Sequence, residues 1–337
     1  MGYILNAGGF DQVIGELRDR FRLFAPVLKE GEGRFTDTDV VRYCFVETGH
    51  EIEFKKRSDY SFKEVLIPLS QTLFYFTENE VKAADEDEKD ILVFLRSCDL
   101  HAVKRLDDIY LRNGAEEDWF YKRIREKLHF VLMGCSESFD NCFCVSMNSN
   151  RVDEGYDFSV NAEDGLFGIE VKNEEFLPCI EKNAERKGAA APAYVTENEV
   201  KVTVPGRISN DIYKNKLWDE YTVRCINCGR CNFVCPTCTC FTMQDLFYTE
   251  NGRVGERRRV CASCMVDGYS TVAGGGQYRK TNGERMRFKT LHKIGDFRKR
   301  FGYDMCVGCG RCDSVCPEYI SFANIINKVN DAEKEGR

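Results

Sequence analysis

The chain has 337 residues, a formal net charge of −7 and 18 cysteines, and 43% of its residues are hydrophobic. This length predicts about two domains with enough apolar surface for packed cores. Its longest apolar run, Ile91–Leu95, is far shorter than the roughly 20 residues of a membrane helix, and Met1–Ala7 lacks the pattern of a secretory signal. These features exclude a disordered, collagenous or membrane-spanning protein, and we expect a cytoplasmic location.

The first two hundred residues have the pattern of a mixed α/β domain. Helical spacing of apolar residues predicts helices at Phe10–Phe21, His101–Leu111 and Asp118–Leu128. Short apolar or alternating runs predict strands at Val41–Val46, Glu51–Phe54, Ile91–Leu95, His129–Met133 and Tyr194–Val204. The first two of these strands are predicted to form a hairpin joined at Thr48-Gly49. Helices and strands in this order favour a sheet with helices packed on it.

One cysteine pattern occurs twice in the last third of the chain, where 12 of the 18 cysteines lie. Both copies read Cys-x2-Cys-x2-Cys-x3-Cys-Pro. The first run is Cys225, Cys228, Cys231 and Cys235, and the second run is Cys306, Cys309, Cys312 and Cys316. A [4Fe-4S] cube offers four irons, each of which takes one thiolate. In two-cluster ferredoxins the fourth cysteine of each run ligates the other cluster.

This pattern predicts two cubes with exchanged fourth ligands. We assign the first cube to Cys225, Cys228, Cys231 and Cys316, and the second cube to Cys306, Cys309, Cys312 and Cys235. Zinc is disfavoured because its sites use two Cys-x2-Cys pairs or include histidine, and neither run has a histidine in register. We therefore expect a mixed α/β, partner-docking domain at 1–215. A bacterial-type 2x[4Fe-4S] ferredoxin-like domain follows at 216–337, with a long insertion at 236–305.

The insertion contains four further cysteines: Cys238, Cys240, Cys261 and Cys264. They are consistent with a third cube, with a zinc site, or with small buried apolar side chains. Cys142 and Cys144, in a Cys-Phe-Cys sequence, are further candidate ligands. The default for Cys44, Cys98 and Cys179, and for His101, His129 and His292, is a structural role.

The insertion is also basic. Residues 251–300 contain 13 Lys and Arg against 4 Asp and Glu, and Glu256–Arg259 is the densest point. This charge either offsets anionic clusters, steers an acidic redox partner, or lies on a solvated surface. Nucleic acid is disfavoured, since the chain as a whole is acidic and has no binding motif. The sequence also contains no dinucleotide fingerprint, phosphate loop, zinc-protease helix or nucleophile elbow. We therefore predict a chain that carries electrons and has no catalytic, nucleotide or flavin site of its own.

Motifs along nearly the whole chain resemble the iron–sulfur A subunit of anaerobic sulfite reductase. They include 33–39, 71–76, 98–107, 137–147, 225–240, 255–265 and 305–328. The iron–sulfur β subunit of cytosolic sulfhydrogenases is similar in the double run, Cys-Pro-Thr-Cys and Cys-Phe-Cys. Cys238, Cys240 and Cys264 match family positions, whereas Cys261 does not. The resemblance therefore leaves Cys261, Cys144 and Cys142 as competing fourth ligands of a third cluster.

The resemblance implies a three-subunit cytosolic complex. A flavin subunit would take hydride from NADH through FAD, this chain would relay single electrons, and a sirohaem subunit would reduce sulfite to sulfide. Two alternatives remain: the equivalent subunit of a sulfhydrogenase or NiFe hydrogenase, and a free-standing ferredoxin-like carrier or metal-binding module.

Overall fold

The computed structural model describes residues 2–33, 37–85 and 88–335. Residues 34–36, within one of the motifs that carry the resemblance, lie outside this range. The described strands are β1 (Gly2–Asn6), β2 (Arg22–Lys29), β3 (Val40–Val46), β4 (Ser70–Phe76), β5 (Val81–Ala83), β6 (Ile91–Leu95), β7 (Leu128–Met133), β8 (Phe158–Glu163), β9 (Leu166–Val171), β10 (Arg186–Lys187), β11 (Phe241–Phe247) and β12 (Gly255–Cys261).

Ten α-helices are seen within the same ranges. They are α1 (Ala7–Arg20), α2 (Ser97–Leu111), α3 (Trp119–Arg125), α4 (Leu177–Asn183), α5 (Asp219–Arg224), α6 (Arg230–Phe233), α7 (Asn282–Leu291), α8 (Phe297–Phe301), α9 (Arg311–Ser314) and α10 (Phe322–Glu335). A π-helical segment, His292–Asp296, joins α7 to α8. The predicted helices near residues 10–21, 101–111 and 118–128 correspond to α1, α2 and α3.

The larger sheet is mixed and has eight strands in the order β10-β1-β9-β8-β7-β6-β2-β3. Its central strands β2, β6, β7 and β8 run parallel, and antiparallel pairs extend it on both sides. Strands β6 and β7 are almost wholly apolar because helices cover both faces of the sheet. Helices α1 and α4 bury Phe10, Leu17 and Ile180 on one face, while α2 and α3 bury Leu106 and Tyr121 on the other. The expectation of a mixed α/β N-terminal part is confirmed.

The smaller sheet is antiparallel, with the order β11-β12-β4-β5. Strands β4 and β5 precede the cysteine runs in the chain, whereas β11 and β12 belong to the insertion. Strand β12 pairs with β4 from Gly255, opposite Phe76, to Val260, opposite Ser70. The sheet therefore combines strands from both predicted domains. The domain boundary at 215/216 itself stays a prediction.

The predicted strand Glu51–Phe54 is wrong. Thr48 begins a short 3-10 helix, Gly49–Glu51, and the Glu51 carboxylate accepts the backbone N–H of Thr48 at 2.9 Å. This arrangement is a capping box, which stabilises a helical start in place of a hairpin turn. Strand β3 pairs with β2 instead, over its whole length.

The predicted strand Tyr194–Val204 is also wrong, since this segment has no regular structure. Its polar groups form hydrogen bonds with side chains and loops, whereas those of a strand would form hydrogen bonds with the backbone of a neighbouring strand. The Asn198 side chain accepts the N–H of Val145 at 2.8 Å, and the N–H of Val202 donates to Ser146 at 3.1 Å. The segment therefore runs along the loop that follows the Cys-Phe-Cys sequence.

Candidate metal centres

The two cysteine runs form the same local structure twice. In each, the sulfur of the first cysteine accepts the backbone N–H two residues later: Asn227 donates to Cys225 at 3.4 Å, and Gly308 donates to Cys306 at 3.5 Å. Both donor residues have left-handed backbone, with φ of 59° and 63°. Each loop thus turns its amides toward the sulfurs, as a loop that wraps an anionic cluster requires.

A glycine precedes the short helix in each run. Gly229 before α6 and Gly310 before α9 have φ of 74° and 70°, a conformation that other residues rarely adopt. A Cβ on Gly310 would also lie 2.4 Å from the carbonyl oxygen of Asn141, and one on Gly308 would lie 2.6 Å from that of Phe143. Glycine is required here because the loop containing Cys-Phe-Cys packs directly on the second run.

The four thiols assigned to the first cube line one pocket. Cys225, Cys228, Cys231 and Cys316 line a pocket that is partly open to solvent, together with Cys312 of the second run and apolar side chains of α7 and α10. Burial raises the pKa of the Cys225 thiol, the Asn227 amide lowers it, and the thiols of Cys231, Cys228 and Cys316 raise it further. The fourth cysteine of the second run therefore lies beside the first run.

The thiols assigned to the second cube lie deeper in the molecule. Burial raises the pKa of Cys306 to about 12; Lys293 and the Gly308 amide lower it, and Cys235 and Cys309 raise it. Burial also raises the pKa of Cys309 and of Cys312, and Cys235 adds to both increases. Cys235, the fourth cysteine of the first run, thus lies beside the second run.

The donor set suits cubes, since each thiolate of a cube binds its own iron and the four sulfurs surround a volume. Within residues 2–33, 37–85 and 88–335, no three His, Cys, Asp or Glu side chains converge on a point where they would hold a single metal ion. The sulfurs, amide donors and apolar walls of the two sets fit anionic clusters. The ligand assignment itself stays a prediction.

The candidates for a third cluster do not form one group. Cys240 and Cys264 are adjacent: a hydrogen bond with Cys264 lowers the pKa of Cys240 to about 6, against the effect of burial. The Asn232 amide also donates to the Cys264 sulfur at 3.1 Å. Cys238 hydrogen-bonds to Cys235, a ligand assigned to the second cube. The structure thus brings two of the three family positions together and places the third beside Cys235.

The three competing fourth ligands have different neighbours. Cys261 lies on β12 and faces the carbonyl oxygen of Pro68 at 3.8 Å. Cys142 accepts from the Arg57 guanidinium at 3.3 Å and donates to the Cys309 carbonyl at 3.5 Å. Cys144 lies 3.7 Å from the Asn198 side chain. Cys142 and the backbone of Cys144 therefore pack against the second run.

A buried ion pair joins the second run to the N-terminal part. The Arg311 guanidinium donates to both Asp99 oxygens, at 2.6 and 2.8 Å, and the two side chains are 1% and 0% exposed. Arg311 also donates to the Ser58 carbonyl and hydroxyl oxygens at 3.0 and 2.9 Å. Asp99 lies in the motif at 98–107, but no pattern in the sequence connects it to Arg311, because the two residues are 212 positions apart.

Only part of the positive charge in the insertion lies on an exposed surface. The arginines of its densest point are paired: Arg257 binds both oxygens of Asp245 at 2.6 and 2.7 Å, and Arg259 binds Asp118 at 2.6 Å. In contrast, Lys289 and Lys293 are buried near the cysteines. The sequence analysis did not single out these two lysines. They were included only in the excess of positive charge counted for the insertion.

Comparisons with known proteins agree with this architecture. A family model described as "4Fe-4S dicluster domain" matches residues 224–320, which contain both runs. Over 98% of its length the chain is 27% identical to sulfhydrogenase 2 subunit beta of Pyrococcus furiosus, covering 99% of that protein. No solved structure matches. The chain is thus an iron–sulfur electron-transfer subunit of oxidoreductase type. More narrowly, the chain is related to the sulfhydrogenase beta subunit.

No helix of the described ranges combines the length and the apolar character needed to cross a membrane.

Proposed function

We propose that this chain relays single electrons through two [4Fe-4S] clusters between a flavin subunit and a catalytic subunit of a multi-subunit oxidoreductase. The observation that carries the proposal is the doubled loop, in which the fourth cysteine of each run lies beside the other run. The clusters would supply one-electron exchange at iron. The chain contributes the thiols, the amide donors of Asn227 and Gly308, and apolar walls.

The burial of the two sites suggests a direction for docking. Cys228 is the one exposed cysteine of the eighteen, all of which lie in the described ranges, whereas Cys306 and Cys309 are buried. Electron transfer needs a short distance between carriers, so a partner reaches the first cube from solvent near Cys228. The thiols assigned to the second cube lie further inside, under the loop around Cys142, so a cluster held there would exchange electrons through the first cube or across the N-terminal part.

Two catalytic partners are candidates. The match to a sulfhydrogenase beta subunit along almost the full length favours a hydrogenase of that type. The motifs quoted above favour an anaerobic sulfite reductase, in which NADH and FAD would serve the flavin subunit and sirohaem the catalytic one. Either complex would lie in a reducing compartment such as the cytoplasm, where eighteen unpaired cysteines are stable.

The deciding experiment is anaerobic capture of the native complex through a tag on this chain, followed by metal analysis and absorption spectroscopy. Sirohaem bands that respond to sulfite would establish the sulfite reductase, and nickel would establish the hydrogenase. A chain that purifies alone, monomeric and with its clusters intact would instead be a free-standing carrier. A chain whose native form contains no iron would refute the relay itself. Cys179→Ala, remote from both runs, is the matched control and should retain all the iron.

A further inference from the structure

Three lysines are buried around the cysteine runs. Lys63, Lys289 and Lys293 are 3%, 3% and 2% exposed. In the part of the chain that the structure describes, none of them forms an ion pair with a carboxylate. An isolated buried ammonium costs several kcal/mol, so such groups persist only where another negative charge lies nearby.

The three lysines have different contacts. The Lys63 ammonium donates to the carbonyl oxygens of Asn232 and Cys238, at 3.0 and 3.1 Å. Lys289 lines the pocket of the first cube, and its ammonium lies 5.0 Å from the centre of the Phe322 ring. Neither carbonyl groups nor an aromatic face supplies a full negative charge. The cysteines would become anions as thiolate ligands of iron, and Asp313 also lines the pocket that contains Lys289.

Lys293 reaches the second cube through a hydroxyl group. Its ammonium donates to the Thr237 oxygen at 2.9 Å, and that oxygen lies 3.4 Å from the Cys235 sulfur. An ammonium has no acceptor, so the Thr237 proton is free to point at the sulfur. The carbonyl of Lys293 also accepts the N–H of Met305 at 2.8 Å, directly before Cys306. Lys293 thus contacts the surroundings of two ligands assigned to one cube.

The helix that carries both lysines is irregular at this point. Lys289 lies in α7, and Lys293 is the second residue of the π-helical segment. π-Helical turns are rare and occur frequently at functional sites. Burial lowers the pKa of the Lys293 ammonium, but the thiols of Cys235, Cys238 and Cys306 raise it above its usual range. The raised pKa is consistent with a cation that lies near several cysteine sulfurs.

A positive charge beside a cluster stabilises the reduced form, which has one more negative charge than the oxidised form. Net charge and hydrogen bonds to sulfur are among the factors that set the potential of iron–sulfur clusters. We propose that Lys293, acting through Thr237, raises the reduction potential of the second cube, and that Lys289 does the same for the first. This inference rests on the proposed presence of two clusters, and it assigns the two lysines as potential-setting residues.

The test is a potentiometric titration of the tagged native complex, monitored by electron paramagnetic resonance. Lys293→Met should lower the potential of the second cube, disfavouring its reduction by about tenfold, which is 59 mV for one electron. Thr237→Val, which keeps shape and charge, should act on the same cube in the same direction but less strongly. Lys289→Met should act mainly on the first cube.

Two controls separate charge from structure. Lys293→Arg keeps the positive charge and should retain a potential close to the native one. Lys201→Met removes an exposed cation that pairs with Glu197 and should change neither potential. Unchanged potentials in Lys293→Met with both signals intact would overturn the inference. If that variant failed to assemble, an unchanged potential in Thr237→Val would overturn it. A native chain without clusters would refute the proposed function instead.

Discussion

The buried Arg311–Asp99 pair should make the second cube depend on the N-terminal part. The change Asp99→Asn keeps the size of the side chain but removes its charge. It leaves the Arg311 guanidinium, which is 1% exposed, without its carboxylate partner. Breaking a buried pair from one side costs about 3–5 kcal/mol. This is a large share of the roughly 5–15 kcal/mol that stabilises a typical fold.

The assay is urea unfolding under anaerobic conditions, followed by the visible absorbance of the clusters and by circular dichroism. With a urea dependence of about 3 kcal/mol per molar, the midpoint should fall by roughly 1–1.7 M. Arg311 lies between Gly310 and Cys312, so the signal of the second cube should disappear at lower urea than that of the first. The double variant Asp99→Leu/Arg311→Met should recover part of the loss, because it leaves no unpaired charge. A midpoint within about 0.2 M of the native value in Asp99→Asn would refute this reasoning.

Three further predictions concern the cysteine runs and the larger sheet. Cys235→Ala should abolish the resonance signal of the second cube and Cys316→Ala that of the first; loss of the opposite cubes would contradict the exchange of ligands. Gly310→Ala should lower iron content, measured per chain, because its Cβ would lie 2.4 Å from a carbonyl oxygen; full iron occupancy would contradict this expectation. The Asp157 carboxylate, 3.6 Å from the Nδ1 atom of His129, raises the pKa of His129 above its usual value near 6.5. Its contribution to stability is therefore complete below pH 6.5 and is lost as the pH rises through the raised pKa. His129→Gln should remove that slope from urea midpoints measured between pH 5 and 9, and an unchanged slope would contradict the assignment.

The parts of the fold that were predictable are those in which neighbouring residues determine the structure. The apolar run Ile91–Leu95 is β6, and the helical spacing from Phe10 corresponds to α1. The predicted hairpin was wrong because Thr48 and Glu51 form a cap, a local signal that alternation does not contain. The predicted strand at 194–204 was wrong because its hydrogen-bond partners are side chains from distant segments.

The candidate site was predictable to a similar extent. The spacing of the two runs is local, and the match to a 4Fe-4S dicluster domain covers both of them, while the assignment of individual ligands stays a prediction. The buried lysines were counted only as charge in the insertion, because nothing in the spacing of Lys289 and Lys293 distinguishes a buried cation from an exposed one. The Asp99–Arg311 pair depends on residues 212 positions apart, which a single sequence cannot connect.

The smaller sheet has a consequence for how the protein is made. Strands β4 and β5 leave the ribosome long before β12, the strand that joins them to β11. Until about residue 261 has been synthesised, β4 has an unpaired edge, and such edges promote aggregation. All four cysteines of the first run emerge during that interval, before the second run exists. The nascent chain must therefore remain protected while four of the eight thiols assigned to the cubes are without their partners. A gene divided between β5 and β11 would yield two fragments, each with an unpaired strand edge.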